Sequence, residues 1–133
     1  MIVIKKKMIK DFLILNFIGK ENQIGLRINN NFYTHDFDKK NDNDQLILSL
    51  LNMLKKYKVN IDNDFSILVN IGPGRFSSLR TSLAVAKGLK ISNKIKLYGY
   101  KNSDLAQFNL NNIELIIKKK LVQKNLLKPI YLS

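Results

Sequence analysis

The chain has 133 residues, no cysteine, one histidine, and a formal net charge of +13 from 23 Lys+Arg against 10 Asp+Glu. This length suits one domain; the lack of cysteine excludes disulfides, thiolate metal sites and a thiol nucleophile, and a lone His35 excludes metal sites built on paired histidines. No apolar run approaches the ~18 residues of a membrane span, and MIVIKKKMIK has its apolar residues ahead of its lysines, the wrong order for a signal peptide, so a soluble, cytoplasmic protein with no membrane contact is expected.

Residues 1–10 read as an N-terminal arm, with 1–7 outside the core and Met8 a candidate start. Residues 12–18, FLILNFI, form a short apolar run broken by Asn16 and suit a buried strand. Ile24, Leu26 and Ile28 alternate with Gln23, Gly25 and Arg27 in a second strand over 22–28. Asn29, Asn30 and Asn31 tolerate the positive φ of a tight hairpin turn, and Phe32–Phe37 makes a third strand. The period then changes. Asp38–Asp44 is a polar loop in which Asn43 or Asp44 can cap a helix over Leu46–Tyr57. The apolar residues of that helix, Leu48 excepted, span an arc of roughly 160°, wider than one core needs.

Asn60–Asp64 is a turn, Phe65–Ile71 a buried strand, and Gly72-Pro73-Gly74 ends it. A second helix is predicted over Ser77–Ile91, with Ser77 or Ser78 near its cap able to meet an anion, and a strand over Ile95–Tyr100. Asn102–Asp104 caps a short helical piece, Asn109–Asn112 is polar connector, and Ile113–Leu127 is a third helix. Pro129 forces extension, so Ile130–Leu132 reads as a last strand. The order β-β-β-α-β-α-β plus a C-terminal helix predicts an α/β domain: a mixed five-stranded sheet with helices on its faces. That topology resembles one lobe of the ribonuclease-H/actin-like ATPase (ASKHA) superfamily.

The charge supports two readings. A net +13 is the footprint of a nucleic-acid partner. Yet only Arg27, Arg75 and Arg80 are arginines, and the abundance of Lys, Asn and Ile fits an A/T-rich coding sequence. Arginine, the residue that holds phosphate bidentately, is scarce.

The most informative stretch is NIGPGRFSSLRTSLAVAKGL over 70–89, physically a strand, a tight turn and a helix start. It lacks the GxxxxGK[ST] pattern of a phosphate-binding P-loop. GPGRFSSLRTSLAVAKGL closely resembles the signature GPGSFTGLR-x-GLA-x-AKGLA of the bacterial TsaB (YeaZ) family, so Gly72, Pro73, Gly74, Arg75, Phe76, Ser77, Ser78, Leu79 and Arg80 form the family's motif loop. FLILNF, Leu46–Tyr57, YGYKNSDLAQ and the terminal KPIYLS extend the resemblance over most of 11–105 and 113–133. The departures are Asn16 where the wider superfamily keeps a metal-directed aspartate, Arg75 for a small residue and Ser78 for a glycine. The family's second lobe is missing as well: 11–133 reads as a single lobe, with Ala106–Asn112 standing where the other lobe would be inserted.

The resemblance implies a non-catalytic subunit that binds the catalytic paralogue TsaD in making threonylcarbamoyladenosine at position 37 of tRNAs reading codons that begin with A. A TsaE-like ATPase belongs to the same assembly, tRNA contact is indirect or weak, and a second copy of the chain takes the partner's place in isolation. No catalytic, metal or cofactor residue is expected. The partner surface is expected on Leu46, Ile47, Leu50, Leu51 and Leu54 of the first helix and on Leu79, Ser82, Leu83 and Ala86 of the second. Small residues through Gly88 favour close helix approach, since glycine inside a helix costs about 1 kcal/mol against alanine. Two other classes stay open: a degenerate ASKHA-type or peptidase-like enzyme using His35 with Ser77 or Ser78, and a small basic RNA-binding domain.

Overall fold

The computed structural model describes residues 9–19, 22–37, 42–61, 65–93, 95–124 and 127–131. Its strands are β1 (Phe12–Phe17), β2 (Asn22–Ile28), β3 (Asn31–Asp36), β4 (Ser66–Asn70) and β5 (Lys96–Tyr100). Its helices are α1 (Asp42–Lys56), α2 (Phe76–Asn93) and α3 (Leu110–Lys118), with a 3-10 turn at Asn102–Asp104. The sheet order is β3-β2-β1-β4-β5. β1, β2 and β3 pair antiparallel, whereas β4 runs parallel to both β1 and β5. This is the expected mixed α/β sheet.

The meander forms because its turn chemistry fits. Asn29 and Asn30 take φ of 51° and 68°, the left-handed conformation that a two-residue hairpin between right-twisted strands requires. β1 is buried along its whole length, so both of its faces meet a core. Leu13, Leu15 and Phe17 join Ile67, Val69 and Leu97 under α1 and α2. Phe12 and Ile14 join Leu68, Tyr100, Ile113 and Ile116 under α3. The period-2 alternation thus divides the strands between two cores. α1 and α2 lie together on one face and touch each other, as two right-handed crossovers require.

Several boundaries differ from the sequence expectation. α1 starts at Asp42, so Asn43 and Asp44 fall inside its first turn rather than capping it. It ends where Lys58 turns left-handed (φ 52°) and the Val59 amide donates to the Leu54 carbonyl at 2.9 Å, a Schellman closure. α3 runs over 110–118 and not Ile113–Leu127. It begins early because Asn109 caps it, accepting from the Asn112 amide at 2.9 Å. It stops early because Lys120 (φ 58°) makes a second such closure, Leu121 N–H to Ile116 carbonyl at 2.9 Å. The chain then runs back extended, and Gln123 exchanges two 2.8 Å hydrogen bonds with Gly99 on β5. Of the expected last strand, only an isolated bridge between Tyr131 and Gly74 forms, and Leu132 lies outside the described residues.

Ile9 and Lys10, read from the sequence as arm, touch the domain. Ile9 packs against the α3-side core, and the Lys10 carbonyl accepts from Arg27 Nη1 at 2.7 Å. The placement of 1–7, of most of the 38–44 loop and of the Asn60–Asp64 turn lies outside the described residues. Arg27 also spans β2 and α3, its Nε 3.4 Å from Glu114 Oε1 in an ion pair that lacks hydrogen-bond geometry. Phe108 and Leu110 pack against the α3-side core, so 106–112 continues the domain without a break.

Candidate functional site

The parallel strands β1, β4 and β5 end at one edge of the sheet, and each brings a polar side chain there. Asn70 is 1% exposed and Asn16 6%. Asn70 Nδ2 donates to Asn16 Oδ1 at 2.7 Å and to Asn102 Oδ1 at 3.2 Å, while Asn70 Oδ1 accepts from the Gly72 amide at 2.8 Å. Asn16 Nδ2 donates to Gln23 Oε1 at 2.9 Å. The Tyr100 hydroxyl, fully buried, lies 3.2 Å from Asn16 Oδ1 and 3.4 Å from the Leu15 carbonyl. Burial pushes the Tyr100 phenol well above its usual range, and the neighbouring Asn70 side chain opposes the shift only in part.

These amides and one neutral phenol form a closed network, as buried polar groups must. A shallow cleft of about 240 Å³ opens beside it, lined by Asn16, Ile18, Asn102, Leu105, Gln107 and Phe108. Asn16 offers an amide where a carboxylate would be the natural ligand for a hard cation. Among the described residues no group of three or more His, Cys, Asp and Glu side chains comes together.

The motif loop is built on this edge. Gly72 takes φ 104°, and a Cβ there would press on the Ile130 carbonyl oxygen and stand 3.0 Å from Leu79 Cδ1. The Gly72–Pro73 peptide is cis, and Pro73 is exposed. The Gly74 amide donates to the Ile130 carbonyl at 3.1 Å, and the Ile130 amide to the Ile71 carbonyl at 2.7 Å, so the loop is laced to 127–131. The Arg75 amide donates to the Ile18 carbonyl at 3.0 Å, and the Arg75 side chain covers Gly19. α2 opens at Phe76, which puts Ser77 and Ser78 inside its first turn rather than at a cap; Ser78 is buried and Ser77 exposed. Leu79 is buried and Arg80 exposed. His35 lies exposed on β3, with β2 and β1 standing between it and β4, and the structure does not bring it together with either serine.

The helix residues expected to meet a partner divide sharply. Leu46, Leu50 and Leu54 of α1 and Leu79, Ser82, Leu83 and Ala86 of α2 are all buried in the chain's own fold. The Ser82 hydroxyl is spent on the Leu79 carbonyl at 3.2 Å. Only Ile47 (55% exposed) and Leu51 (53%) remain open, and Leu48 (56%), which lies off the main arc, joins them. Positions 47, 48 and 51 are neighbours on a helix, so they make one apolar strip. On α2 the open side carries Ala84, Gly88 and the highly exposed Ile91, and apart from its own stretch of helix no atom stands within 4 Å of where a Gly88 Cβ would sit.

The sequence reading missed the asparagine network. Its signal was present, since a polar residue inside FLILNF, and another ending the buried SILVN, each demands a partner. It missed as well the pairing of Phe76 with Tyr131, whose ring centroids lie 4.7 Å apart.

No protein-family model and no curated protein matches the chain. Solved structures do, among them two from Pseudomonas aeruginosa, one described as YeaZ and one as an uncharacterized protein with similarity to peptidase YeaZ. Each aligns with a TM-score of 0.63 and 19% identity over 73% of this chain. The alignments cover 44% and 45% of those chains, so this chain spans less than half their length. The likeness shows the fold alone: an α/β domain folded like part of those YeaZ structures.

Proposed function

We propose that the chain is a TsaB-type partner subunit, non-catalytic and cytoplasmic, that docks a TsaD-like paralogue in the threonylcarbamoyladenosine modification of tRNA. The observation that carries this reading is the apolar strip Ile47, Leu48 and Leu51 on a helix whose other side is already anchored in the core. Three branched side chains stand more than half open to water on one helix, and covering the remainder of each is worth roughly 1–1.5 kcal/mol. The open side of α2, small at Ala84 and Gly88, leaves room for a foreign helix. The YeaZ-type fold and the GPGRFSSLR motif support the same assignment. Asn16 in place of a carboxylate favours a subunit that leaves the chemistry to its partner. A TsaE-like ATPase would join through the same complex.

The test places Glu at Ile47, Leu48 and Leu51 singly and together, and then at Ala84, and measures co-purification with the TsaD of the same cell alongside thermal melting. A charge at these open positions should leave the isolated chain within about 0.5 kcal/mol of its original stability. The complex should weaken by about tenfold or more per buried charge. Full retention of the complex with charges on both helices refutes the reading.

A further inference from the structure

We propose that Phe76, Tyr131 and Arg80 form a stacking platform for single-stranded nucleic acid. Phe76, the first residue of α2, is 54% exposed, and Tyr131 is 41% exposed. The two rings lie at 44° to each other, and the Arg80 guanidinium sits 5.5 Å from the Phe76 ring centroid. Neither ring belongs to a core cluster. Both are nonetheless held by the fold: one starts a helix of eighteen residues, and the other is bridged to Gly74 through the main chain. Surface rings fixed in this way lose little freedom when a base stacks on them.

Charge selects the occupant. Residues 65–103 carry seven Lys and Arg and residues 115–133 carry five, with no Asp or Glu in either segment. Phe76 comes from the first segment and Tyr131 from the second. An A/T-rich coding bias supplies lysine, but the platform uses arginine. Arg75 and Arg80 flank Phe76, and Arg27, the third arginine of the chain, is engaged with Asp11 and Glu114. Guanidinium stacks on rings and bases and grips phosphate, which lysine does not do in the same geometry. Exposed Arg75, Arg80 and Lys128 would follow the phosphates while a base covers Phe76 and Tyr131. A protein partner seated here would have to be strongly acidic around an aromatic contact; a nucleic-acid strand presents both features in every residue. The platform does not use the α1 strip.

The experiment is fluorescence anisotropy of labelled oligo-U and oligo-dT dodecamers with the full chain, at about 50 and about 200 mM salt. Variants are Phe76→Leu, which keeps an apolar side chain at an exposed position, Arg80→Lys, which keeps the charge, and Lys55→Ala, which removes a charge from exposed α1. Melting curves check that each variant is folded. Both strands should bind the unaltered chain, and Phe76→Leu should bind about tenfold more weakly with the same salt slope. Arg80→Lys should lose about threefold, and Lys55→Ala less than about twofold. The ratio of the two strand types tells RNA from DNA as the source. Three results overturn the proposal: no binding at the lower salt, a Phe76→Leu variant that binds unchanged, or a Lys55→Ala variant that loses as much as Phe76→Leu. A self-association of the free chain that Phe76→Leu abolishes overturns it too, because the rings are then a contact between copies.

Discussion

Replacing Asn70 by alanine tests the idea that one amide ties the sheet edge together. The side chain makes three hydrogen bonds, to Asn16, to Asn102 and from the Gly72 amide, and it is 1% exposed. Each such bond is worth about 1 kcal/mol net, and the Gly72 N–H left buried without its partner costs about 1–2 kcal/mol more. Asn16 Oδ1 keeps the Tyr100 hydroxyl, so no second orphan is added. The expected loss is about 4 kcal/mol. For a chain of 133 residues the unfolding entropy near the midpoint is about 0.28 kcal/mol per kelvin, so the melting temperature should fall by about 14 °C. Asn102→Ala is the internal comparison. It removes only the 3.2 Å bond at the rim, leaves its own amide bonded to the Gly72 carbonyl at 2.8 Å, and should cost about 1 kcal/mol, or 3–4 °C. Circular dichroism or calorimetric melts of both variants measure the difference. Equal shifts for the two, or a shift below about 3 °C for Asn70→Ala, refute the account of a single linchpin amide.

Tyr100 predicts an alkaline signature. Burial raises its phenol well above 10.0, so the folded chain keeps a proton that the unfolded chain releases. Its contribution is therefore whole below pH 10 and declines as the pH rises further, by about 1.4 kcal/mol per unit. Tyr100→Phe, melted across the same range, should show a profile shallower by one proton, and parallel profiles would sink the argument. Gly88→Ala, at an open helical position, should stabilise the isolated chain by about 0.5–1 kcal/mol in a denaturant melt. The same change should weaken co-purification with TsaD if α2 meets its partner closely, and a loss of stability would mean the position is not open.

What the sequence disclosed depended on how local the physics was. The hairpin was legible because asparagine alone explains two successive left-handed residues, and the strands were legible because β1 and β4 are short apolar runs bounded by turn residues. The end of α1 was legible to within one residue, Tyr57 against Lys56, but the end of α3 at Lys120 was not. It closes on a lysine in the left-handed region, where glycine is the usual mark, and the expected helix consequently ran nine residues past the observed end. The α1 arc was read correctly as too wide for one core, but its division was not: pattern alone could not say that Leu46, Leu50 and Leu54 turn inward while Ile47, Leu48 and Leu51 stay out. The inward turn of the α2 candidates was hidden for a related reason. Small residues suit close packing with a partner or with the chain itself, and here Ser82 is buried and Ala86 packs in the chain's own core. The Asn16–Asn70 bond and the Phe76–Tyr131 pair join positions 54 and 55 residues apart, separations at which single-sequence periodicity carries no information.

The sheet has two kinds of wiring, and they differ in how fast they can form. On one side of β1 the neighbours are near in sequence: Phe17 faces Asn22, and Ile28 faces Asn31. On the other side Leu13 faces Ile67, and that pairing must wait for the whole of α1 to be in place. Closing the short hairpins costs little chain entropy, while each parallel union closes a loop of tens of residues before any ladder bond rewards it. Chain entropy therefore favours the meander ahead of the parallel pairings, and until they form β1 has one edge bare. In such a state an apolar strand offers its unpaired edge as a template for another chain, so fast delivery of β4 to β1 is what guards this sheet against aggregation.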